Sequence, residues 1–161
     1  MTTRFRRAVT AVAASVLMLT GAVVAAAPAS STQTPTMTGI RTGLHSGFDR
    51  IVLDMSGHRP GVSARWGDEL RQDGSGSVVW LTGEHFVTVR VNPAAAHDDR
   101  GRSIYLGAKK FRTRDLRNVM AVALVGDFEA VLSIGLGTRK KTWVRTFTLG
   151  SPTRVVIDVG H

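Results

Sequence analysis

No cysteine occurs anywhere in the 161 residues. That single absence excludes disulfides, thiolate metal sites, a cysteine nucleophile and a lipidated N-terminal cysteine. Small exported domains often rely on disulfides, so this chain has to be held by packing alone. Beyond residue 38 there is also no sustained apolar period of 3.6, which argues against a helical fold. Familiar catalytic signatures are missing too. No serine sits in a G-x-S-x-G elbow, and the glycines of "GLGTRKK" stand at a strand end without opening a helix, so no dinucleotide fingerprint is present. Of the histidines His45, His58, His85, His97 and His161, only His97 lies in a dense cluster, "HDD", with no second histidine near it in sequence. A zinc site needs three or four converging ligands. Neither catalytic residues, a metal nor a cofactor is expected, and the chain is read as non-enzymatic.

What is present begins with an export layout. "MTTRFRR" carries three arginines and no acid, and "AVTAVAASVLMLTGAVVAAAPA" follows without a charge. A basic start, an apolar stretch and a small-residue end form a secretory signal peptide, assigned to residues 1–29 with the cleavage site at Ala27-Pro28-Ala29. The competing reading is an uncleaved anchor, since the apolar stretch approaches the roughly 20 residues of a spanning helix. Residues 30–38 read as a flexible polar leader, and 39–161 as one domain of ordinary size. Three of the 21 basic residues fall in the signal, leaving 18 against 12 acids, a formal charge of +6. For a secreted or envelope-associated chain, that charge points to anionic envelope polymers or phospholipid head groups and not to nucleic acid.

The body of the chain reads as short β-branched runs broken by glycine, proline and aspartate, the pattern of an all-β sandwich or barrel. Strands are predicted near Arg50–Met55, Val62–Trp66, Val78–Leu81, Phe86–Val91, Val119–Val125, Val131–Leu136, Trp143–Leu149 and Arg154–Val159. In "FVTVRVN" Val87, Val89 and Val91 share a face, as on a sheet with one buried side. "VMAVALV" is apolar throughout and predicts a central strand covered on both sides. "GDFEA" predicts a hairpin, and "RQDGSGS" a turn. Trp80 alternates with Val78 and is assigned to the core; Trp66 and Trp143 are open. A short strand at Ser103–Leu106 is possible on pattern within the long basic stretch 92–116.

One design occurs twice. "DRIVLDMSGH" at Asp49–His58 and "TRVVIDVGH" at Thr153–His161 each run arginine, three aliphatics, aspartate and a glycine-containing exit to histidine. On a strand Arg50, Val52 and Asp54 share one face, and Arg154, Val156 and Asp158 repeat it. The repeat is read as architectural, with the charged ends pairing or satisfying backbone groups. His45 and Asp49 of "HSGFD" are expected to hydrogen-bond within their turn.

"GIRTGLHSGFDRIVLDMSGHRPG", "NPAAAH", "VALVGDFEAVLSIGLG" and "SPTRVVIDVGH" together resemble the AMIN-like domains of exported proteins from high-GC Gram-positive bacteria, distant relatives of the peptidoglycan-associated AMIN domain. The similarity spans Gly39 to His161. It implies a two-sheet β-sandwich, a localising role at the envelope, and no catalytic residues to carry over. No appended catalytic domain is expected, so a localising role would act on a partner or on the domain itself.

Two basic segments are the candidate binding residues: Lys109, Lys110, Arg112, Arg114 and Arg117, then Arg139, Lys140 and Lys141. Folded together they would form one positive surface able to hold phosphates or carboxylates by charge-assisted hydrogen bonds. The expected function is a non-catalytic, envelope-associated module contacting anionic cell-wall polymer. The alternatives are a protein-interaction module docking an envelope protein along a sheet edge and, further off, a small wall hydrolase. Membrane contact is expected only if the signal segment is retained.

Overall fold

The computed structural model describes residues 33–161. The signal segment assigned to 1–29 lies outside them. Nine strands and no helix make up the described residues: β1 Thr36–Leu44, β2 Phe48–Ser56, β3 Gly61–Gly67, β4 His85–Asn92, β5 Lys110–Arg112, β6 Val119–Phe128, β7 Val131–Thr138, β8 Val144–Leu149 and β9 Arg154–Gly160. They form two antiparallel sheets ordered β1-β2-β9-β8 and β3-β4-β7-β6-β5. This is the expected all-β two-sheet sandwich.

Alternation builds the core. Ile51, Leu53 and Met55 of β2 and Val155, Ile157 and Val159 of β9 face inward from the first sheet. Val87, Val89 and Val91 of β4 meet them with Leu132, Ile134 and Leu136 of β7. Among the described residues the buried core runs from Met37 to Val159 and draws on both sheets.

Two strands were not foreseen. β1 begins at Thr36, inside the span 30–38 read as a leader, and Met37 is fully buried with its N–H donating to the Ala95 carbonyl at 2.8 Å. Threonine and glycine dominate "TMTGIRTGL", so only Met37 and Ile40 signal an inner face. β5 is three residues long, too short to show a period.

The predicted strand Val78–Leu81 is absent. Residues 68–84 instead lie as a strap across the outer face of the second sheet, bridged within itself between Arg71 and Val78 and joined to the sheet by the Asp73 N–H on the Val125 carbonyl at 3.0 Å and the Glu84 N–H on the Thr138 carbonyl at 2.8 Å. Leu70 is the buried anchor of this strap, and Trp80 is 83% exposed, which corrects its assignment to the core. The strap lies close because β7 turns Ser133, Gly135 and Gly137 outward. A Cβ on Gly137 would collide with the Thr82 carbonyl, and one on Gly135 with Leu70. Ser103–Leu106 is likewise not a strand; it contributes only the bridge Ser103–His97.

The "GDFEA" hairpin forms, with a turn tighter than its sequence suggests. β6 runs through Phe128 and pairs it with Val131, leaving Glu129 and Ala130 as a two-residue turn with φ of 49° and 56°. Positive φ at both positions is the signature of a type I′ turn, normally made by Asn-Gly.

Candidate functional site

The doubled motif resolves into one cross-strand unit. β2 and β9 are neighbours, and because they run antiparallel Arg50 lies opposite Asp158 while Asp54 lies opposite Arg154. Arg50 grips Asp158 with two hydrogen bonds of 2.7 and 2.9 Å, and Arg145 of β8 adds a third at 3.0 Å. Asp158 is completely buried beneath these side chains. Burial pulls its pKa upward, but the hydrogen bonds from Arg50 and Arg145 outweigh it and hold the carboxyl below its ordinary value. Asp54 is held below its ordinary value chiefly by the hydrogen bond from Arg41. Aromatic rings flank this unit: Arg50 and Arg145 lie over Phe147 at 5.7 and 5.2 Å, and His45 stacks on Phe48 at 4.6 Å. Trp143, half-exposed, tilts against Phe48 and packs over Gly160.

Asp49 does not bond His45. Its buried carboxylate reaches the β5–β6 loop and accepts the backbone N–H groups of Arg117 at 3.1 Å, Asn118 at 2.6 Å and Val119 at 2.8 Å. Within the "HSGFD" turn the closure is made by backbone, with the His45 N–H donating to Phe48 at 2.9 Å. Asp49 therefore ties the first sheet to a loop of the second.

That loop carries Arg114 and Arg117 of the predicted basic surface, and Asn118 brings the Arg139–Lys140 segment to it. The Asn118 carbonyl accepts the Arg139 N–H at 2.9 Å and its side-chain oxygen accepts the Lys140 N–H at 2.9 Å. Its amide donates to the carbonyls of Lys140 at 3.2 Å and Gly160 at 2.6 Å. The Arg139 guanidinium closes the junction on the Arg117 carbonyl at 3.0 Å. Arg112, Arg114 and Arg139 consequently line one depression of about 150 Å³ with Thr82, Thr113 and Met120. No carboxylate is in its wall.

The other predicted residues are placed differently. Lys110 and Arg112 hold the strap, Lys110 donating to the Trp80 carbonyl at 3.2 Å and Arg112 to the Thr82 hydroxyl at 3.1 Å. Lys109 lies at the far end of β5, in a depression whose wall includes Asp73 and Asp127. Lys141 sits over the half-buried Trp66 ring at 6.0 Å. Arg114, Arg117 and Lys140 make no side-chain hydrogen bond among the described residues, and all three are exposed.

The "HDD" cluster is divided. His97 pairs through Nδ1 with Asp127 at 2.7 Å, and Asp127 also caps the Ala96 N–H at 3.0 Å. Asp98 accepts the N–H groups of Arg100 and Arg102 and the Arg102 guanidinium, which together hold it below its ordinary pKa. The arrangement fastens the 93–104 loop to the β6–β7 hairpin.

Against this architecture, the family model of the AMIN-like domain matches residues 35–161. The chain belongs to the AMIN-like domain family. The match begins one residue before β1 and runs to the last residue, so it takes in both sheets, the strap and the basic junction. No curated protein and no solved structure matches the chain. AMIN-like domains are associated with the envelope and with binding more than with catalysis, which suggests an envelope-associated binding module.

Proposed function

We propose that this AMIN-like domain is an exported, non-catalytic module that holds anionic cell-wall polymer at the basic junction of the β5–β6 and β7–β8 loops. The observation carrying this reading is the Asn118 clamp. It joins two segments separated by 22 residues and sets Arg114, Arg117, Arg139, Lys140 and Lys141 around one end of the sandwich. Clustered cations attract a polyanion over about a Debye length, and guanidinium groups then grip individual phosphates or carboxylates.

The test is co-sedimentation of residues 33–161 with purified cell wall at low and high salt. Its companion is the variant Arg114→Gln/Arg117→Gln/Lys140→Gln/Lys141→Gln, which avoids Lys110, Arg112 and Arg139 because these also hold the strap or the loop through hydrogen bonds. Salt-sensitive pelleting that the variant loses is the expected result. Pelleting retained by the variant, or none at any salt, defeats the reading. A second mode of binding is supported by β1, an edge strand that among the described residues has a ladder only with β2 and, on its other side, the single bridge from Thr36 to Ala95. Beyond that bridge its edge can accept an extended segment of an envelope protein. Such docking would persist at high salt.

A further inference from the structure

The basic junction continues along β5 into a second depression, of about 400 Å³, and the two share Thr82 and Arg112. Along the whole strip the cations are Lys110, Arg112, Arg114 and Arg139, and no carboxylate is in either wall. The second depression differs from the first in having aromatic and aliphatic residues, Trp80, Leu81 and Phe111, in its wall beside the cations Lys110 and Arg112.

Trp80 is the residue that the wall-polymer reading leaves unused. It is 83% exposed, at the crest of a strap whose packing depends on Leu70 and on the bared glycines of β7, so the fold does not need an indole there. Its backbone carbonyl is nonetheless fixed by Lys110, which keeps the indole and a cation side by side. Leu106, 88% exposed, projects four residues before β5. A hydrated polyanion would engage the cations and leave Trp80 in water. A leaflet of anionic phospholipid accepts both, with phosphates on the cations and the indole at the boundary between headgroups and acyl chains.

We propose that the β5 side of the second sheet docks on an anionic phospholipid surface, with Trp80 inserted at headgroup depth and Lys110, Arg112, Arg114 and Arg139 on the lipid phosphates. This goes beyond wall binding and is separable from it, because it turns on Trp80. The domain would then work where the membrane surface and the wall are both within reach.

Binding of residues 33–161 to vesicles of phosphatidylcholine alone, and of phosphatidylcholine with phosphatidylglycerol, tests the idea. Expected is salt-sensitive binding to the anionic vesicles only, with brominated lipid quenching the fluorescence of the wild type but not the emission that remains in Trp80→Phe. Trp80→Ala should weaken partition roughly tenfold by withdrawing an inserted aromatic. Each cation removed should cost roughly fivefold. Lys110→Gln/Arg112→Gln could release the strap, so Arg114→Gln, which has no hydrogen bond to lose, serves as the charge test. Equal affinity for both vesicles, no binding, or anionic binding indifferent to Trp80→Ala would each overturn the proposal. Wall sedimentation by Trp80→Ala is expected to be unchanged; its loss would count against insertion as the specific role of the indole. Failure of the wall experiment with vesicle binding intact would defeat the polymer reading alone.

Discussion

Removing the Asp49 carboxylate should be among the most costly single changes in the domain. Its three backbone bonds, at 3.1, 2.6 and 2.8 Å, join β2 to the Arg117–Val119 segment of the opposite sheet. In Asp49→Ala the Arg117 N–H stands at an exposed residue and can turn to water. Those of Asn118 and Val119 cannot, since both residues are buried. Two orphaned buried donors at about 1–3 kcal/mol each, less some relief from no longer burying a charge, give a net loss of about 3–4 kcal/mol. Against a total stability of about 5–15 kcal/mol, the fold survives but is weakened.

For a domain of this size that loss corresponds to a fall in Tm of about 10–15 °C. Urea unfolding gives the same quantity as a drop in midpoint at constant slope. Asp49→Asn is the sharper variant. It keeps one acceptor but turns an NH₂ group toward N–H donors, so it should lose about 2–3 kcal/mol despite being isosteric. A Tm within about 3 °C of wild type for Asp49→Ala would refute the reasoning, for it would mean that the loop is positioned without this carboxylate. Where the variant remains folded, wall binding should also fall, because Arg117 and Asn118 are then released together.

Three further outcomes are expected. Asp158 and Asp54 both have folded-state pKa values below their ordinary ones, so the stability they contribute is complete above the unfolded-state value and is lost as pH falls through it toward the folded one; acid unfolding below about pH 5 should be shallower in Asp158→Asn, which is also less stable at neutral pH. Ala130→Gly should raise stability by about 1 kcal/mol, since Ala130 carries a φ of 56° that costs an L-residue about that much; an unchanged urea midpoint would count against the turn. Gly137→Ala drives a methyl into the Thr82 carbonyl; it should cost about 2 kcal/mol and open residues 68–84 to proteases before the sheets unfold, and a protease-resistant strap would show that it does not rest on this glycine.

Legibility in the sequence follows the range of the interaction. β4 and β7 are readable because Val87, Val89, Val91 and Leu132, Ile134, Leu136 write the burial of one face directly into a period of two. The strap defeats the same rule, because Val78 and Trp80 alternate without a ladder partner and the residue that is buried, Leu70, is isolated. β1 hides behind threonine and glycine. The glycines of β7 held a usable signal: Gly135 and Gly137, on the outward face of a central strand, report that backbone passes close above them. Nothing local identifies Asn118, a single polar residue in a basic loop, or links Asp49 to a loop 68 residues away. Both act through partners that only the folded topology supplies.

The doubled motif is intelligible in the same terms. Two strands that each place arginine four residues before aspartate match opposite charges when antiparallel and in register, as Arg50–Asp158 and Asp54–Arg154 do. Paired parallel in register, they would set arginine against arginine, and a slip of two residues would take Arg50 from the buried Asp158 and leave it Arg145 alone. Removing a partner from a buried ion pair costs up to about 3–5 kcal/mol, so the motif selects orientation and register more than it adds stability. That selection reaches the basic junction. Asp49, one residue before Arg50, holds the Arg117–Val119 loop, and Gly160, two residues after Asp158, receives the Asn118 amide and the Thr142 hydroxyl at 2.6 and 2.8 Å. The β2–β9 register therefore sets where both basic loops end. A shift in that register would displace Arg114 and Lys140 without touching either, and this is the physical reason to expect a structural repeat and a binding end in one small domain.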